Sequence, residues 1–285
     1  MLKVNFRTLW SVLRETVSKW DDNDAPRMGA ALAFYTILSL APLVVLVIAI
    51  SGRVFGDEAA QQGLLREVDR VSGTQGHVVV AGLLENLQKS EAGTVASVLG
   101  ALTLMFGASG VFNELRAALN RIWGVRPSGS GVWSTVKGRL FSIGMVLAVG
   151  FLLLVSLVAS AALAAVGKFF SDFLPASEAM LSVVNFALST AGIGLLFALI
   201  FRYVPEVRVA WSDVRLGAIL TALLFTIGKS LIGLYLGKAA IGSAYGAAGS
   251  LVVLTVWVYY SAMIFLFGAE LTQVINTSTM RSQVD

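Results

Sequence analysis

Residues Gly246 to Ala269 read GAAGSLVVLTVWVYYSAMIFLFGA, a run of 24 residues without a charged side chain. An α-helix rises about 1.5 Å per residue, so about 20 apolar residues cross the hydrocarbon core of a bilayer, which is about 30 Å thick. The run is long enough for that crossing, and Glu270 follows it directly. We therefore predict a transmembrane helix here.

Five more runs of the same kind precede this one. Four of them have no charged residue, and the fifth contains only Lys229. The six predicted spans are residues 28–52, 92–113, 140–167, 179–201, 216–237 and 246–269. They are too long and too uniformly apolar for the alternating strands of an outer-membrane barrel. The predicted fold class is therefore all-α, a multi-pass integral membrane protein with six transmembrane helices.

The composition supports a membrane protein and excludes several kinds of site. Only 13% of the residues are charged and 56% are hydrophobic, whereas a soluble domain is about 25% charged. The chain has no cysteine and a single histidine, His77. This excludes disulfides, thiolate metal sites and any site that needs two histidines. We predict no catalytic residues, no metal and no cofactor.

The positive charges are distributed unevenly between the two sides of the predicted spans. Fourteen Lys and Arg residues lie in the segments on one side, and six lie on the other. Loops rich in Lys and Arg stay in the cytoplasm, so both termini are predicted to be cytoplasmic. The asymmetry also explains the net charge of +4, and we predict no nucleic acid partner.

The six spans belong to a predicted transmembrane domain at residues 28–272, and three segments outside the spans carry structural predictions of their own. Residues 1–27 are predicted to form an amphipathic helix, either in the membrane interface or packed on the cytoplasmic ends of the bundle. Its apolar positions at helical spacing are Phe6, Leu9, Trp10, Leu13, Val17 and Trp20. Residues 53–91 predict a loop on the outer side with two short helices, broken at residues 72–76. Residues 273–285 are predicted to be a cytoplasmic tail.

Two ionisable residues of the predicted bundle are candidates for a transport pathway or for coupling, because charges are costly inside a membrane. Lys229 faces a polar cavity, snorkels toward the outer headgroups or forms a structural pair. Glu270 either pins helix ends through an ion pair or serves as a proton- or ion-coupling carboxylate. Its candidate partners are Arg116, Arg121 and Arg202.

A second candidate site follows the second span. Asn113, Arg116 and Asn120 are spaced so that they share one face of a helix. Together with Arg121 and Arg202, this face predicts a cytoplasmic vestibule that holds a phosphate or carboxylate group. A solvated helix next to the membrane is the alternative.

Proline and glycine predict two further features. Pro42 lies in the middle of the first span, where the loss of a backbone hydrogen bond predicts a kink. Small residues spaced four apart permit close packing of the fifth and sixth spans; an unwound substrate-binding segment is the alternative. These residues are Gly233, Gly237, Gly242 and Gly246.

Five stretches of the chain, in order, resemble the YihY/BrkB family of bacterial inner-membrane proteins. They are DAPRMGAALAFYTILSLAP at residues 24–42, NRIWGV at 120–125, YVPEVRV at 203–209 with Trp211, AYGAAGS at 244–250 and GAELT at 268–272. The resemblance covers about residues 10–275. It implies six transmembrane helices in the bacterial cytoplasmic membrane.

Members of that family were once labelled ribonuclease BN. Metal-dependent RNA hydrolysis needs clustered carboxylates or histidines. The acidic cluster of this chain is Asp21, Asp22 and Asp24, followed at once by Pro26, and acids with a proline are typical of a helix start. We therefore predict that the protein is not a ribonuclease.

Two classes of function fit these features, while an intramembrane enzyme would lack a catalytic set. The first is a transporter or flippase for an amphipathic or anionic cell-envelope component or a small solute. It is not driven by ATP on its own, because the chain lacks a Gly-x-x-x-x-Gly-Lys-Ser/Thr motif. The second is a structural scaffold or assembly factor for envelope machinery. The predicted partners are membrane lipids, and a second copy of the chain or an envelope protein.

Overall fold

The computed structural model describes residues 6–89, 110–125, 177–207, 209–238 and 249–284. In these ranges every regular element is a helix and no strand is present. The predicted all-α class is confirmed for this part of the chain. The predicted span 140–167, most of the span 92–113, and the residues Gly242 and Gly246 lie outside the described residues.

Seven helices occur in the described ranges. They are α1 (Phe6–Asp22), α2 (Ala25–Phe55), α3 (Asp57–Lys89), α4 (residues 110–122), α5 (Ser177–Tyr203), α6 (Trp211–Lys238) and α7 (Gly249–Val284). Helix α7 packs against α1, α2, α3 and α6, while α2 packs on α3 and α5 packs on α6. The last helix of the chain is therefore the one on which most of the others rest.

Two stretches of the described helices are long and apolar enough to cross a membrane. They are Trp211–Tyr235 in α6 and Leu251–Thr277 in α7, close to the predicted fifth and sixth spans. The chain is also helical throughout the predicted first and fourth spans, in α2 and α5. The total of six spans and the cytoplasmic termini stay predictions.

The joint between α1 and α2 consists of two residues, Asn23 and Asp24. Asp24 has a left-handed backbone conformation, with φ 53° and ψ 41°, and Pro26 lies in the first turn of α2. A proline there costs no helical hydrogen bond, because the first N–H groups of a helix have no partner within it. Helix α2 continues through Pro42 as far as Phe55. The kink at Pro42 stays a prediction.

Residues 57–89 differ from what the sequence predicted. The prediction of two short helices is wrong, because α3 is a single helix that continues through residues 72–76. An internal glycine costs a helix about 1 kcal/mol relative to alanine, which weakens the helix without ending it. Packing compensates for this cost, since Val80 and Leu84 of α3 are buried against Val44 of α2.

Four phenylalanines form the centre of the main hydrophobic core, where α5, α6 and α7 meet. The ring centroids of Phe197 and Phe201, both on α5, are 6.2 Å apart. Phe225 of α6 meets Phe197 edge-on at 5.6 Å, and Phe265 of α7 lies 5.2 Å from Phe201. Helix α4 adds the buried side chains of Leu115, Ala118, Leu119 and Ile122 to the same core. This core therefore fixes α4 beside the end of α5.

A reciprocal contact between glycine and threonine brings α6 and α7 close together. Gly217 of α6 faces Thr272 of α7, and Gly268 of α7 faces Thr221 of α6. A Cβ atom on either glycine would overlap the facing threonine side chain. Each threonine hydroxyl donates a hydrogen bond of 2.7 Å to the carbonyl oxygen of the glycine four residues earlier in its own helix. The contact is thus dense and leaves neither hydroxyl without a partner.

The prediction of close packing at Gly233 is wrong. Gly233 is exposed, and a Cβ atom there would have open space around it. The third close approach between α6 and α7 is instead at Gly228, where a Cβ atom would overlap Ile264. Glycine spacing shows which residues share a side of the helix, but not which side faces the neighbour. The structure does not test Gly237.

We expect Gly268→Ala to destabilise the protein by about 1–3 kcal/mol, because the added methyl group forces α6 and α7 apart. Gly233→Ala is the matched control in an exposed position. It should be neutral or stabilise by up to about 1 kcal/mol, because alanine favours a helix more than glycine does. Thermal unfolding in detergent compares the two, and equal melting temperatures would contradict the tight contact at Gly268.

Candidate functional site

Polar and charged side chains from several helices collect beside the joint between α1 and α2. We name this group the polar layer. Its members are Asn23, Asp24, Arg116, Asn120, Arg121, Arg202, Glu206 and Glu270. The apolar residues beneath it, among them Ala25, Leu119, Phe201 and Ala269, belong to the main core. Packing of α1, α2, α4, α5 and α7 therefore sets the positions of the polar groups.

Glu270 of α7 is the one charged residue that is fully buried in the described part of the chain. The Nδ2 group of Asn23 donates a hydrogen bond of 2.6 Å to its Oε1. Its Oε2 is buried and has no hydrogen-bond partner among the described residues. Burial of a carboxylate without full hydrogen bonding is costly. The second oxygen is therefore an acceptor that a proton or a cation would satisfy.

The prediction that Glu270 pairs with an arginine is wrong. Its partner is Asn23, in the joint that follows α1, because the Glu270 side of α7 packs against this end of α1. One turn further along α7, Lys19 of α1 donates a hydrogen bond of 2.7 Å to the side-chain oxygen of Gln273. Two side-chain hydrogen bonds thus join α1 to α7.

Arg121 joins α4 to the joint between α1 and α2. Its Nη2 lies 2.9 Å from the Oδ2 of Asp24 and donates to the carbonyl oxygen of Asp22 at 3.5 Å. Arg27 reaches the same Oδ2 at 3.2 Å. Half-exposed ion pairs of this kind contribute about 0–1 kcal/mol, so their effect is to orient the left-handed Asp24 more than to stabilise the fold.

Asn120 and Arg116 of α4 both contact Glu206, in the segment that follows α5. The buried Oδ1 of Asn120 accepts a hydrogen bond of 2.8 Å from the backbone N–H of Glu206. The Nη1 atom of Arg116 is 3.5 Å from the Oε1 atom of Glu206. Asn113, on the same helix, is exposed. Two of the three residues on the predicted vestibule face are thus engaged in holding α4 to residues 204–207, and the vestibule stays a prediction.

The guanidinium of Arg202, at the end of α5, is held by aromatic rings. Its Cζ lies 4.7 Å from the ring centroid of Trp211 and 5.4 Å from that of Tyr203. Its Nη1 donates a hydrogen bond of 2.8 Å to the carbonyl oxygen of Val209. The buried Nε has no partner among the described residues. Cation–π contacts therefore fix this side chain against the start of α6.

Lys229 lies on α6, away from the polar layer, and is half buried. The helix passes an apolar groove at this level, and Gly228 lines that groove. The three alternatives for Lys229, namely a pathway residue, a snorkelling residue and a structural partner, stay predictions.

Sequence reasoning missed the α1 side of the site. Asn23 and Gln273 were not singled out, because a polar residue at a helix end is ordinary and its partner is 247 residues away along the chain. One local signal was present for the helix contact. The pattern Gly-x-x-x-Thr occurs at residues 217–221 and again at 268–272, which places a small residue and a hydroxyl on one side of each helix.

These features define a helical membrane protein with a buried glutamate in its polar layer and two apolar helices long enough to span a bilayer. The chain belongs to the family described as virulence factor BrkB, whose sequence model matches residues 16–284. The resemblance to the YihY/BrkB family is confirmed.

The chain is similar to several curated bacterial proteins. The UPF0761 membrane protein of Psychromonas ingrahamii is 28% identical over 289 residues, covering 96% of this chain and 89% of the relative. The UPF0761 membrane protein MS0032 of Mannheimia succiniciproducens is 27% identical, covering 90% of this chain and 87% of the relative. The ribonuclease-like protein YfkH of Bacillus subtilis is 23% identical, covering 93% and 95%. No solved structure matches the chain.

The word ribonuclease in one of these names applies to that relative. In the described part of this chain, no group of three or more His, Asp or Glu side chains is placed to hold a metal ion. Within the predicted acidic cluster, Asp24 is bound by Arg121 and Arg27.

We expect Asn120→Ala to destabilise the protein by about 0.5–1.5 kcal/mol, because it removes the buried side chain that accepts the hydrogen bond from the backbone N–H of Glu206. The same substitution at Asn113, which is exposed on the same helix, should change the stability by less than about 0.5 kcal/mol. Denaturant or thermal unfolding of the two variants checks this. If both lose equal stability, Asn120 does not anchor the segment after α5.

Proposed function

We propose that the protein is a transporter or flippase of the bacterial cytoplasmic membrane that moves an amphipathic or anionic cell-envelope component or a small solute. The observation that carries this proposal is Glu270, a fully buried carboxyl group with one oxygen that has no partner in the described residues. Ionisable residues inside a helical membrane bundle are costly, and they mark proton relays and ion pathways in transporters. We assign Glu270 the coupling role and Lys229 a role in the pathway.

The proposed driving force is a gradient of protons or cations, since the chain lacks a nucleotide-binding motif of its own. Asn23 binds Glu270, and Lys19 and Asp22 act on it electrostatically. All three belong to α1 or its joint with α2. A shift of α1 against α7 therefore changes the surroundings of the carboxyl group, and a ligand at Oε2 biases that shift in return.

The cations of the polar layer support an anionic cargo. Arg116, Arg121 and Arg202 lie at the same end of the helices, and guanidinium groups bind phosphate and carboxylate through paired hydrogen bonds. The pair between Arg121 and Asp24 is half exposed. A phosphate or carboxylate group can thus replace Asp24 at Arg121 without opening the core.

A scaffold or assembly factor without transport activity is the second candidate. It is favoured by the contacts of Asn120, Arg116 and Arg121, each of which joins α4 to another segment. In this function the polar layer only holds the helices together. The partner would be a second copy of the chain or an envelope protein.

Reconstitution into vesicles separates the two functions. We expect fluorescently labelled phosphatidylglycerol to move between leaflets faster with the full-length protein than in protein-free vesicles. A membrane-impermeant quencher measures the labelled lipid that remains outside. If neither the labelled lipid nor a set of small anions crosses faster than in protein-free vesicles, transport is rejected and the scaffold is supported.

Glu270→Gln tests the coupling role. We expect the transport rate to fall at least about tenfold, equivalent to about 1.4 kcal/mol, and its response to a pH or cation gradient to disappear. Glutamine can still accept the hydrogen bond from Asn23, so the protein should fold normally. The matched control is Glu58→Gln, at an exposed position of α3, which should keep the wild-type rate. A wild-type response in Glu270→Gln would remove Glu270 from the mechanism.

Lys229→Ala tests the pathway role in the same assay, with Lys238→Ala at the end of α6 as its control. We expect only Lys229→Ala to slow transport of the anionic lipid, because it removes the positive charge from the middle of the helix. Transport by Lys229→Ala at the wild-type rate would exclude Lys229 from the pathway.

A further inference from the structure

An apolar groove of about 310 Å³ lies between α6 and α7, with Trp20 of α1 at one end. Leu224, Ile227 and Leu231 line it from α6, and Met263 and Phe267 line it from α7. Trp20 lies at the end nearest the polar layer. Asn23 comes three residues after Trp20, and Glu270 comes three residues after Phe267. Because Asn23 binds Glu270, Trp20 and Phe267 both lie near the polar layer.

The groove is part of a larger apolar surface. Ile227 and Leu231 are each more than half exposed, and so are Ile219 and Leu234 on the same helix. Both walls of the groove belong to the two helices that are long and apolar enough to cross a membrane. The hydrocarbon region of the bilayer is the environment in which such a surface is stable.

Helix α1 extends this surface beyond Trp20. Thr16 is fully buried on the side of α1 that packs against its neighbours, whereas Trp10, Leu13 and Val17 are exposed. These three residues are spaced 10, 7 and 3 positions before Trp20, so they lie within about 80° of it around the helix, and Trp20 lies at the border between them and the buried Thr16. Arg14 is exposed at the border of this apolar strip.

A strip of tryptophan and aliphatic side chains bordered by a cation is the chemistry that binds the headgroup region of an anionic membrane. The indole N–H of Trp20 is buried and has no acceptor among the described residues. Tryptophan at a membrane interface normally directs its N–H to a polar group while its ring contacts acyl chains. Trp20 thus lies where the apolar groove ends and the interfacial strip begins.

We propose that the groove holds one acyl chain of an anionic phospholipid whose headgroup lies against α1, beside Trp20 and Arg14. The acyl chain covers Ile227 and Leu231 and contacts the ring of Trp20, and Arg14 binds the phosphate. The site does not depend on transport, because it is a place where lipid stays bound. The vesicle transport assay therefore neither supports nor contradicts the proposed lipid site.

The test measures phospholipid that remains bound to the full-length protein after purification in detergent, by native mass spectrometry. Ile227→Trp fills the groove, while Ile219→Trp places the same side chain two turns earlier on α6, outside it. The two isoleucines are 59% and 56% exposed, so both variants should fold. We expect Ile227→Trp to lower lipid retention at least about tenfold, equivalent to about 1.4 kcal/mol of binding, and Ile219→Trp to retain the wild-type amount. Leu231→Trp should repeat the loss.

The headgroup is tested by protein in nanodiscs of phosphatidylglycerol or phosphatidylcholine, followed by extraction. Wild-type protein should retain more phosphatidylglycerol, and Arg14→Glu should lose this preference, whereas Arg66→Glu on the exposed side of α3 should keep it. Equal lipid retention in Ile227→Trp and Ile219→Trp would overturn the proposal. So would a wild-type dimer that becomes a monomer in Ile227→Trp without any change in bound lipid, because a second copy would then occupy the groove.

Discussion

The interdigitation of Gly217, Thr221, Gly268 and Thr272 is the contact on which the rest of the structure depends. Each threonine fits against the glycine of the other helix and satisfies its own hydroxyl within its own helix. Since apolar side chains gain little from leaving lipid for protein, close backbone approach is what holds such helices together. Glu270 lies between Gly268 and Thr272 along α7. The contact that brings α6 and α7 together therefore lies at the same level of α7 as the carboxyl group that binds Asn23.

The two helices that are long and apolar enough to cross a membrane were the most predictable part of the fold. Long apolar runs identify α6 and α7, because the bilayer imposes a length that the chain must meet. The continuity of α3 was not predictable from its glycines. The helix continues through residues 72–76, and Val80 and Leu84 pack on Val44 of α2. A tertiary contact of this kind leaves no signal in the local sequence.

The sequence predicted which residues belong to the candidate site better than it predicted which of them contact each other. Glu270 was recognised because it directly follows an uncharged run, and Arg116 and Asn120 because their spacing puts them on one face of a helix. Their partners depend on which helix faces are opposed, and this is decided by residues that carry no charge. Small differences in helix rotation exchange one partner for another. Predicted depth therefore assigned the arginines to Glu270, and glycine spacing assigned close packing to Gly233.

The joint between α1 and α2 is short, with only Asn23 and Asp24, so α1 moves together with the residues that it contacts. Its outer side carries Trp10, Leu13 and Val17, and its far end is bonded through Asn23 and Lys19 to the middle of α7. There is no flexible linker to absorb a change in its tilt, because Asp24 is held by Arg121 and Arg27. A change in the tilt of α1 is therefore transmitted directly to the hydrogen bond that Asn23 donates to Glu270. The carboxyl group that is buried most completely in the described part of the chain thus depends on the position of the helix with this exposed apolar side.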